Sequence, residues 1–298
     1  MAESIQYFNR YTNRIETERV YGERWLRWMY GQRSGRFGLA IAAKRAWFSR
    51  WYGAKMQDAS SAGKIEPFIS KYGVDVDSMA QRPSTYESFN AFFMRRLKPE
   101  ARPVAQGLSE AVFPADARHL GFPDLSVVDH VFVKGQRFDI KELVGDGDLA
   151  EKYAHGTLLL SRLCPVDYHR FHFPVAGTPS QAEEIDGSLY SVSPIALRRR
   201  LDILWENRRM RTAIETPDWG TVLMIEIGAT CVGSIIQNFT SGAPAEKGSE
   251  KGVFSFGGSS VITLFEPGRI RLADDLLEHS AQGRELYAHM GDVFGVKP

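Results

Sequence analysis

The stretch "VFSFGGSSVITLFEPG" sets two glycines and two serines between residues that favour extended backbone: Val253, Phe254 and Phe256 before them, Val261, Ile262, Leu264 and Phe265 after. Glycine inside a strand costs backbone entropy and packs nothing. One reading is a bulge or tight bend, where positive φ is needed. The other is chemical. The Ser259 hydroxyl can close a five-membered ring on the carbonyl of Gly258, and glycine there has no Cβ to obstruct the approach. A serine nucleophile needs a base, and the base an orienting acid. "LCPVDYHRFHFPVAG" supplies His169 and His172, and "VFPADARHL" supplies Asp116 just after Pro114. Each has an ordinary explanation too, as a packed strand histidine or a turn acid. A His-x-x-His pair is also half of a metal site. Cys164 and Cys231 are isolated and not spaced for zinc, so no metal is expected.

Those residues need a frame. From about residue 109 the chain reads as short strands and turns: "AVFPADARHLGFPD", "SVVDHVFVKGQRFDI", "GTLLLSRLCP", "YHRFHFPVAG", "GSLYSVSP", "IETPDWGTVLMIEIGATCVGSI" and "VITLFEPGRI". The stretch "PIALRRRLDILWENR" reads as helix. Upstream the texture is helical. "KIEPFISKYG" is one segment, preceded by "DASSAG" as a small-residue linker. In "RPSTYESFNAFFMRRLKPEARP", Ser84 with Glu87 three residues later is a capping signal. Tyr86, Phe89, Phe92 and Phe93 then form one face, and Arg95, Arg96 and Lys98 suit the C-terminal dipole. The expected class is α+β: a helical region over 1–80, then a β-rich body of antiparallel sheets with few short helices over 81–298.

The formal net charge of +1 hides an asymmetry. Residues 1–56 hold eleven Lys/Arg and four acids, a net of +7 that leaves −6 for the rest. Four of the six tryptophans are here, Trp25 and Trp28 at i,i+3 and Trp47 and Trp51 at i,i+4. Basic and aromatic residues on amphipathic helices suit a membrane interface, and equally suit a packed core with a solvated face. Hydrophobic residues at 43% are ordinary for a folded chain, and the near-zero total charge predicts no nucleic-acid partner. No run of about 18 apolar residues exists, and the start resembles neither a secretory signal nor a transit peptide. The two cysteines make no disulfide framework; they read as small buried thiols of a reducing compartment.

"SFNAFFMRRLKPEARP", "FPAD", "CPVDYHRFHFPVAGT", "YSVSPIAL", "IEIGATCVGSI" and "FSFGGSSVITLFEPG" occur in this order. Together they resemble the phosphatidylserine decarboxylase family, over about residues 84–270. Ala117 stands where the family often has glycine, and Ser260 where many members have threonine. The resemblance implies a proenzyme that cuts itself. Asp116 orients His172, His172 takes the proton of Ser259, and Ser259 attacks the Gly258 carbonyl, exchanging amide for ester. Elimination and hydrolysis then leave a pyruvoyl group at residue 259, the covalent cofactor. The products are a β chain of residues 1–258 and an α chain of residues 259–298, which stays bound as a strand.

The resemblance also implies the reaction, conversion of phosphatidylserine to phosphatidylethanolamine and CO2. Its carbonyl is the electron sink that amino-acid decarboxylation requires and no ordinary side chain supplies. His169 is the expected substrate-side proton donor or carboxylate contact. A lipid substrate favours docking of residues 20–56 on an anionic bilayer through Arg45, Trp47, Arg50 and Trp51. The protein is then expected on the cytoplasmic face as a peripheral dimer of αβ units. Three alternatives remain: a pyruvoyl enzyme acting on a soluble amino acid, a serine hydrolase using Asp116, His172 and Ser259, and a non-enzymatic β-rich scaffold that stays uncut and inert.

Overall fold

The computed structural model describes residues 4–20, 22–31, 46–126, 138–229, 234–257 and 259–298, and leaves the side chains of residues 24, 25, 31 and 46–50 undescribed. The chain opens with a hairpin, β1 (Gln6–Asn9) and β2 (Arg14–Thr17), followed by helices α1 (Glu23–Gly31), α2 (Ala46–Gln57), α3 (Ile65–Tyr72) and α4 (Phe89–Phe93). Then come β3 (Glu110–Val112), β4 (Ala117–Phe122), α5 (Ile140–Val144), α6 (Gly147–Tyr153), β5 (Thr157–Leu163), β6 (Arg170–His172), β7 (Thr178–Pro179) and β8 (Glu183–Ile185). Next are α7 (Pro194–Leu197), α8 (Ile203–Glu206), β9 (Arg209–Thr216), β10 (Gly220–Ile227), β11 (Ile235–Gln237) and β12 (Glu250–Phe254). The chain closes with β13 (Ser259–Phe265), β14 (Arg271–Leu272), α9 (Asp274–Ala281), β15 (Glu285–Ala288) and β16 (Val293–Val296). This is a sheet-rich α+β fold with few, mostly short helices.

Among the described residues the largest sheet has the order β2-β1-β15-β4-β5-β13-β10-β9-β7, with β8 also on β9. Its pairings are antiparallel except β1 with β15. β13 lies in its interior, paired on one side with β5 and on the other with β10. All seven β13 side chains are buried, which is why the segment from Val261 to Phe265 is apolar at every position but Thr263. A second sheet, β11-β12-β6, carries His172 on β6, and a third is β14-β16-β3.

The apolar residues on either side of Gly-Gly-Ser-Ser therefore belong to two strands in two sheets, β12 ending at Phe254 and β13 beginning at Ser259. Gly257 takes φ +142°, a region that side chains rarely tolerate. Phe256, in this crossing, packs into an aromatic cluster from the helical region. Its ring centroid lies 5.0 Å from that of Phe93, 5.3 Å from Phe89 and 5.8 Å from Tyr52. The backbone N–H of Phe256 donates to Asn90 Oδ1 at 2.8 Å. Met56, Ile65, Phe68, Met79, Tyr86 and Phe92 complete this cluster, which spans the boundary expected at residue 80.

Several local expectations need correction. The N-terminal region does not begin as helix: residues 6–17 form the hairpin that extends the main sheet, because β1 finds a partner in β15, near the other end of the sequence. "DASSAG" is no loose linker. Asp58 caps a 3-10 turn over Ala59–Lys64, and Ser61 Oγ accepts from the Phe89 N–H at 2.8 Å. The cap of α4 is Ser88, accepting from Ala91 N, whereas Pro83–Thr85 form a separate 3-10 turn. "GSLYSVSP" makes a single bridge, Ser188 to Asn207, instead of a strand. Most of "SVVDHVFVKGQRFDI" and Cys231 lie outside the described residues, while Cys164 is buried and free. Among the described residues no helix is long and apolar enough to cross a membrane.

Candidate active site

Ser259 opens β13, and its register partner Leu163 closes β5. The chain after β5 turns back at once: Asp167 N–H donates to the Cys164 carbonyl at 2.9 Å, and Asp167 Oδ2 accepts from Cys164 N–H at 2.6 Å. This turn delivers His169 to Ser259, with Nδ1 3.4 Å from Oγ and neither residue exposed. The other ring nitrogen, Nε2, is 2.9 Å from the Cys164 carbonyl. A carbonyl cannot donate, so Nε2 carries the proton and Nδ1 presents its lone pair to the serine. The Phe93 ring stacks on the imidazole at 3.8 Å between centroids. Burial, and then the Arg95 charge, push His169 down to about 3, against the pull of the Cys164 and Pro165 carbonyls. The imidazole is neutral at physiological pH, with its acceptor nitrogen toward the serine.

His172 lies at the end of β6, opposite Glu250, with its N–H donating to the Pro114 carbonyl at 2.7 Å. Its Nδ1 is buried with no hydrogen-bond partner among the described residues. Burial pushes its pKa down to about 4, while Glu250 and Asp116 pull the other way. Asp116 is within electrostatic reach, yet its carboxylate is held elsewhere, by Arg102 and by the Met290 N–H at 3.0 Å. The chain thus brings Ser259 and His169 into contact. Asp116 and His172 are neighbours in charge without a hydrogen bond. Gly258 lies outside the described residues.

A cavity of about 630 Å³ adjoins the crossing, a volume typical of small-molecule sites. Gly257 and Cys164 line it, with Leu26, Tyr52, Tyr72 and Phe256 among its apolar walls. Its polar lining includes Tyr7, Glu18, Arg118 and Arg162. Glu18 bridges the two guanidinium groups, 2.5 Å from Arg162 Nη2 and 3.2 Å from Arg118 Nε. Although burial raises the Glu18 pKa, Arg162 and Arg118 hold it down at about 2. The cavity therefore keeps a fixed charged wall beside an apolar one.

The tryptophan and arginine expectations divide. Trp51 is 47% exposed and Trp28 43% exposed, while Arg45 and the side chains of Trp47 and Arg50 lie outside the described residues. Lys55 Nζ sits 4.1 Å from the Trp51 ring centroid. Tyr52, the next residue on α2, lines the cavity. The sequence reading missed Arg102 as the partner of Asp116, and Arg118, Arg162 and Glu18 as cavity charges. No local pattern marks them, because each acquires its partner from at least fourteen residues away. Among the described residues no cluster of three or more His, Cys, Asp or Glu side chains is arranged to hold a metal ion.

A buried serine in contact with an imidazole, at the start of an interior strand, is the arrangement shared by proteins that pair a hydroxyl nucleophile with a base. The comparisons give the particular family. The phosphatidylserine decarboxylase family model matches residues 89–295. A phosphatidylserine decarboxylase proenzyme of Chlamydia trachomatis serovar L2 is 40% identical over 294 residues, covering 99% of this chain and 98% of its own. Those of Fusobacterium nucleatum and Desulfitobacterium hafniense are 40% and 38% identical over 293 residues, each covering 98% of both chains. The chain belongs to the phosphatidylserine decarboxylase family.

Proposed function

We propose that the protein decarboxylates phosphatidylserine to phosphatidylethanolamine and CO2, after cutting its own chain between Gly258 and Ser259. The observation that carries the reading is the buried contact of Ser259 Oγ with the acceptor nitrogen of His169, at the start of an interior strand. Ser259 Oγ attacks the Gly258 carbonyl, its proton passing to an imidazole and on to the departing amide nitrogen, so an ester replaces the peptide bond. Loss of the α-proton of residue 259 expels the Gly258 carboxylate. Water then replaces the nitrogen of the resulting dehydroalanine, releasing ammonia and leaving a pyruvoyl group. The residues fit this group: Ser259 begins its strand, and a positive-φ glycine precedes it by two positions. Once formed, the group supplies a carbonyl that accepts the electrons freed by loss of CO2.

The processing triad in this reading is Asp116, His172 and Ser259. Its support is the buried Nδ1 of His172, which has no hydrogen-bond partner among the described residues and lies within the field of Asp116. A buried polar atom without a partner requires an explanation, and catalytic hydrogen bonds tighten only as the reaction proceeds. His169 touches residue 259 directly, which suits it to take the proton of the incoming substrate amine and return it after CO2 has left. The cavity receives the headgroup beside Gly257, and its apolar wall continues into α2, whose Trp51 faces outward. Trp51, with Trp47, Arg45 and Arg50, docks the protein peripherally on an anionic bilayer, where each basic residue adds about 1 kcal/mol. The working unit is a dimer of αβ pairs.

Intact mass of the purified protein tests the cut. Two chains are expected, the smaller starting at residue 259 with a ketone in place of its amine, and Ser259→Ala should stay whole. CO2 release from phosphatidylserine vesicles, with free serine as comparison, tests the substrate. Full activity from an unbroken chain overturns the reading.

A further inference from the structure

We propose that Arg95 is a positioning residue for His169, bracing the turn whose carbonyl fixes the imidazole with its lone pair toward residue 259. This rests on the reading of residue 259 as the reacting centre. Arg95 follows α4 in a run that reads as a basic helix end, yet it is 4% exposed. Its Nη2 donates to the Val166 and Asp167 carbonyls, both at 2.9 Å. These belong to the turn that carries the Cys164 carbonyl, the acceptor for His169 Nε2. Arg170, the residue after His169, returns the contact: its Nη2 donates to the Met94 carbonyl at 2.8 Å and its Nε to the Arg95 carbonyl at 3.3 Å. Each arginine thus caps the backbone of the segment that bears the other. Phe93 and His169 are stacked between them.

Beyond those two carbonyls, Arg95 lies within the field of the Asp116 and Asp167 charges. Its Nε and Nη1 are buried without hydrogen bonds among the described residues, and its guanidinium lies 5.1 Å from the Phe92 ring centroid. Burying an arginine with two open donors is costly. Carbonyl capping alone could be met by a neutral donor; the Arg95 charge in addition meets those of Asp116 and Asp167 and bears on His169. The groups around His169 are Phe93 and Arg95 from the α4 segment, the Cys164 and Pro165 carbonyls from the turn, and Ser259 from β13. The Phe254 N–H of β12 donates to the His169 carbonyl. Asp167 is neutralised by Arg118 and the Cys164 N–H, and burial keeps the Cys164 thiol protonated. Arg95 is the cation whose charge acts on the ring, opposing protonation.

The test is nitrogen NMR of histidine-labelled, full-length Ser259→Ala, with the His169 signal identified by its loss in His169→Gln. The signal should show the Nε2–H tautomer and stay neutral down to about pH 5. Adding Arg95→Met should mix the tautomers and raise the titration midpoint by about one pH unit, as loss of a nearby like charge does. Arg95→Lys keeps the charge without the planar fork, so it should mix the tautomers with little change in midpoint. An unchanged His169 signal in folded Arg95→Met overturns the proposal. If that variant does not fold, a fixed Nε2–H tautomer in Arg95→Lys overturns it. This readout needs no activity, so failure of wild-type chain to cut would count against the functional reading alone.

Discussion

Arg102 grips both carboxylate oxygens of Asp116, with Nη2 2.6 Å from Oδ2 and Nε 2.9 Å from Oδ1. The acid is almost enclosed, at 2% side-chain exposure, and the arginine nearly so at 15%. Asp116→Asn strands a buried guanidinium, and should cost about 3 kcal/mol in urea unfolding of uncut Ser259→Ala. Combining it with Arg102→Met should recover part of that loss. In a chain with Ser259, Asp116→Asn should be slow or uncut, while Arg102→Met should still cut. Equal failure of both variants would assign the importance of Asp116 to its ion pair instead of to His172.

The two histidines separate by stage. His172→Ala should remain full length. His169→Ala should cut and then decarboxylate about 10² to 10⁴-fold more slowly, the range for loss of general acid–base help. Gel analysis of cutting and CO2 release from vesicles read the two stages independently. The reverse pattern would make His169 the base for cutting, as its 3.4 Å contact with Ser259 in the uncut chain permits.

Acid should weaken the uncut protein through its buried imidazoles. Burial pushes His119 and His169 down to about 3 and His172 to about 4. The unfolded chain takes up these protons near pH 6.5, ahead of the folded chain. Stability from these groups is therefore full above about pH 6.5 and falls as pH drops toward 4. Urea titrations of Ser259→Ala at stepped pH should show this slope, and His169→Gln should flatten it. A slope that survives in the His119, His169 and His172 triple variant assigns it to other groups.

Membrane docking should be separable from cutting. Replacing Trp47, Trp51, Arg45 and Arg50 together should weaken flotation with anionic liposomes and leave the two-chain pattern unchanged. Added salt should weaken wild-type binding in the same assay, since exposed charges are screened within about 10 Å at 0.1 M. Unaltered flotation of the quadruple variant would remove these residues from the interface.

Much of the site was legible before the fold. Ser259, His169, His172 and Asp116 stand out because nucleophile, base and acid are rare types in short, unusual settings. The strands around them were readable wherever one face or both are apolar, as in β5, β10 and β13. The N-terminal hairpin was not, because residues 6–17 are mixed in polarity and become strand by pairing with β15, whose partner Glu285 is far along the chain. The cap at Ser88 was missed in favour of Ser84, since both precede a plausible helix and Pro83 and Glu87 point to the earlier one.

Local chemistry, written in neighbouring residues, marked by sequence alone which side chains are candidates for reaction and that a glycine precedes the candidate serine. Which histidine meets that serine was decided by the turn from Cys164 to Asp167 and by the sheet crossing after Phe254. Spacing of three residues places His169 and His172 on the same short segment, but it carries no information about the strand that approaches from ninety residues away. Arg95, Arg102 and Arg118 found their partners the same way, in the Asp167 carbonyl, the Asp116 carboxylate and the Asp167 carboxylate. A guanidinium has no meaning in isolation; burial and a distant partner give it one.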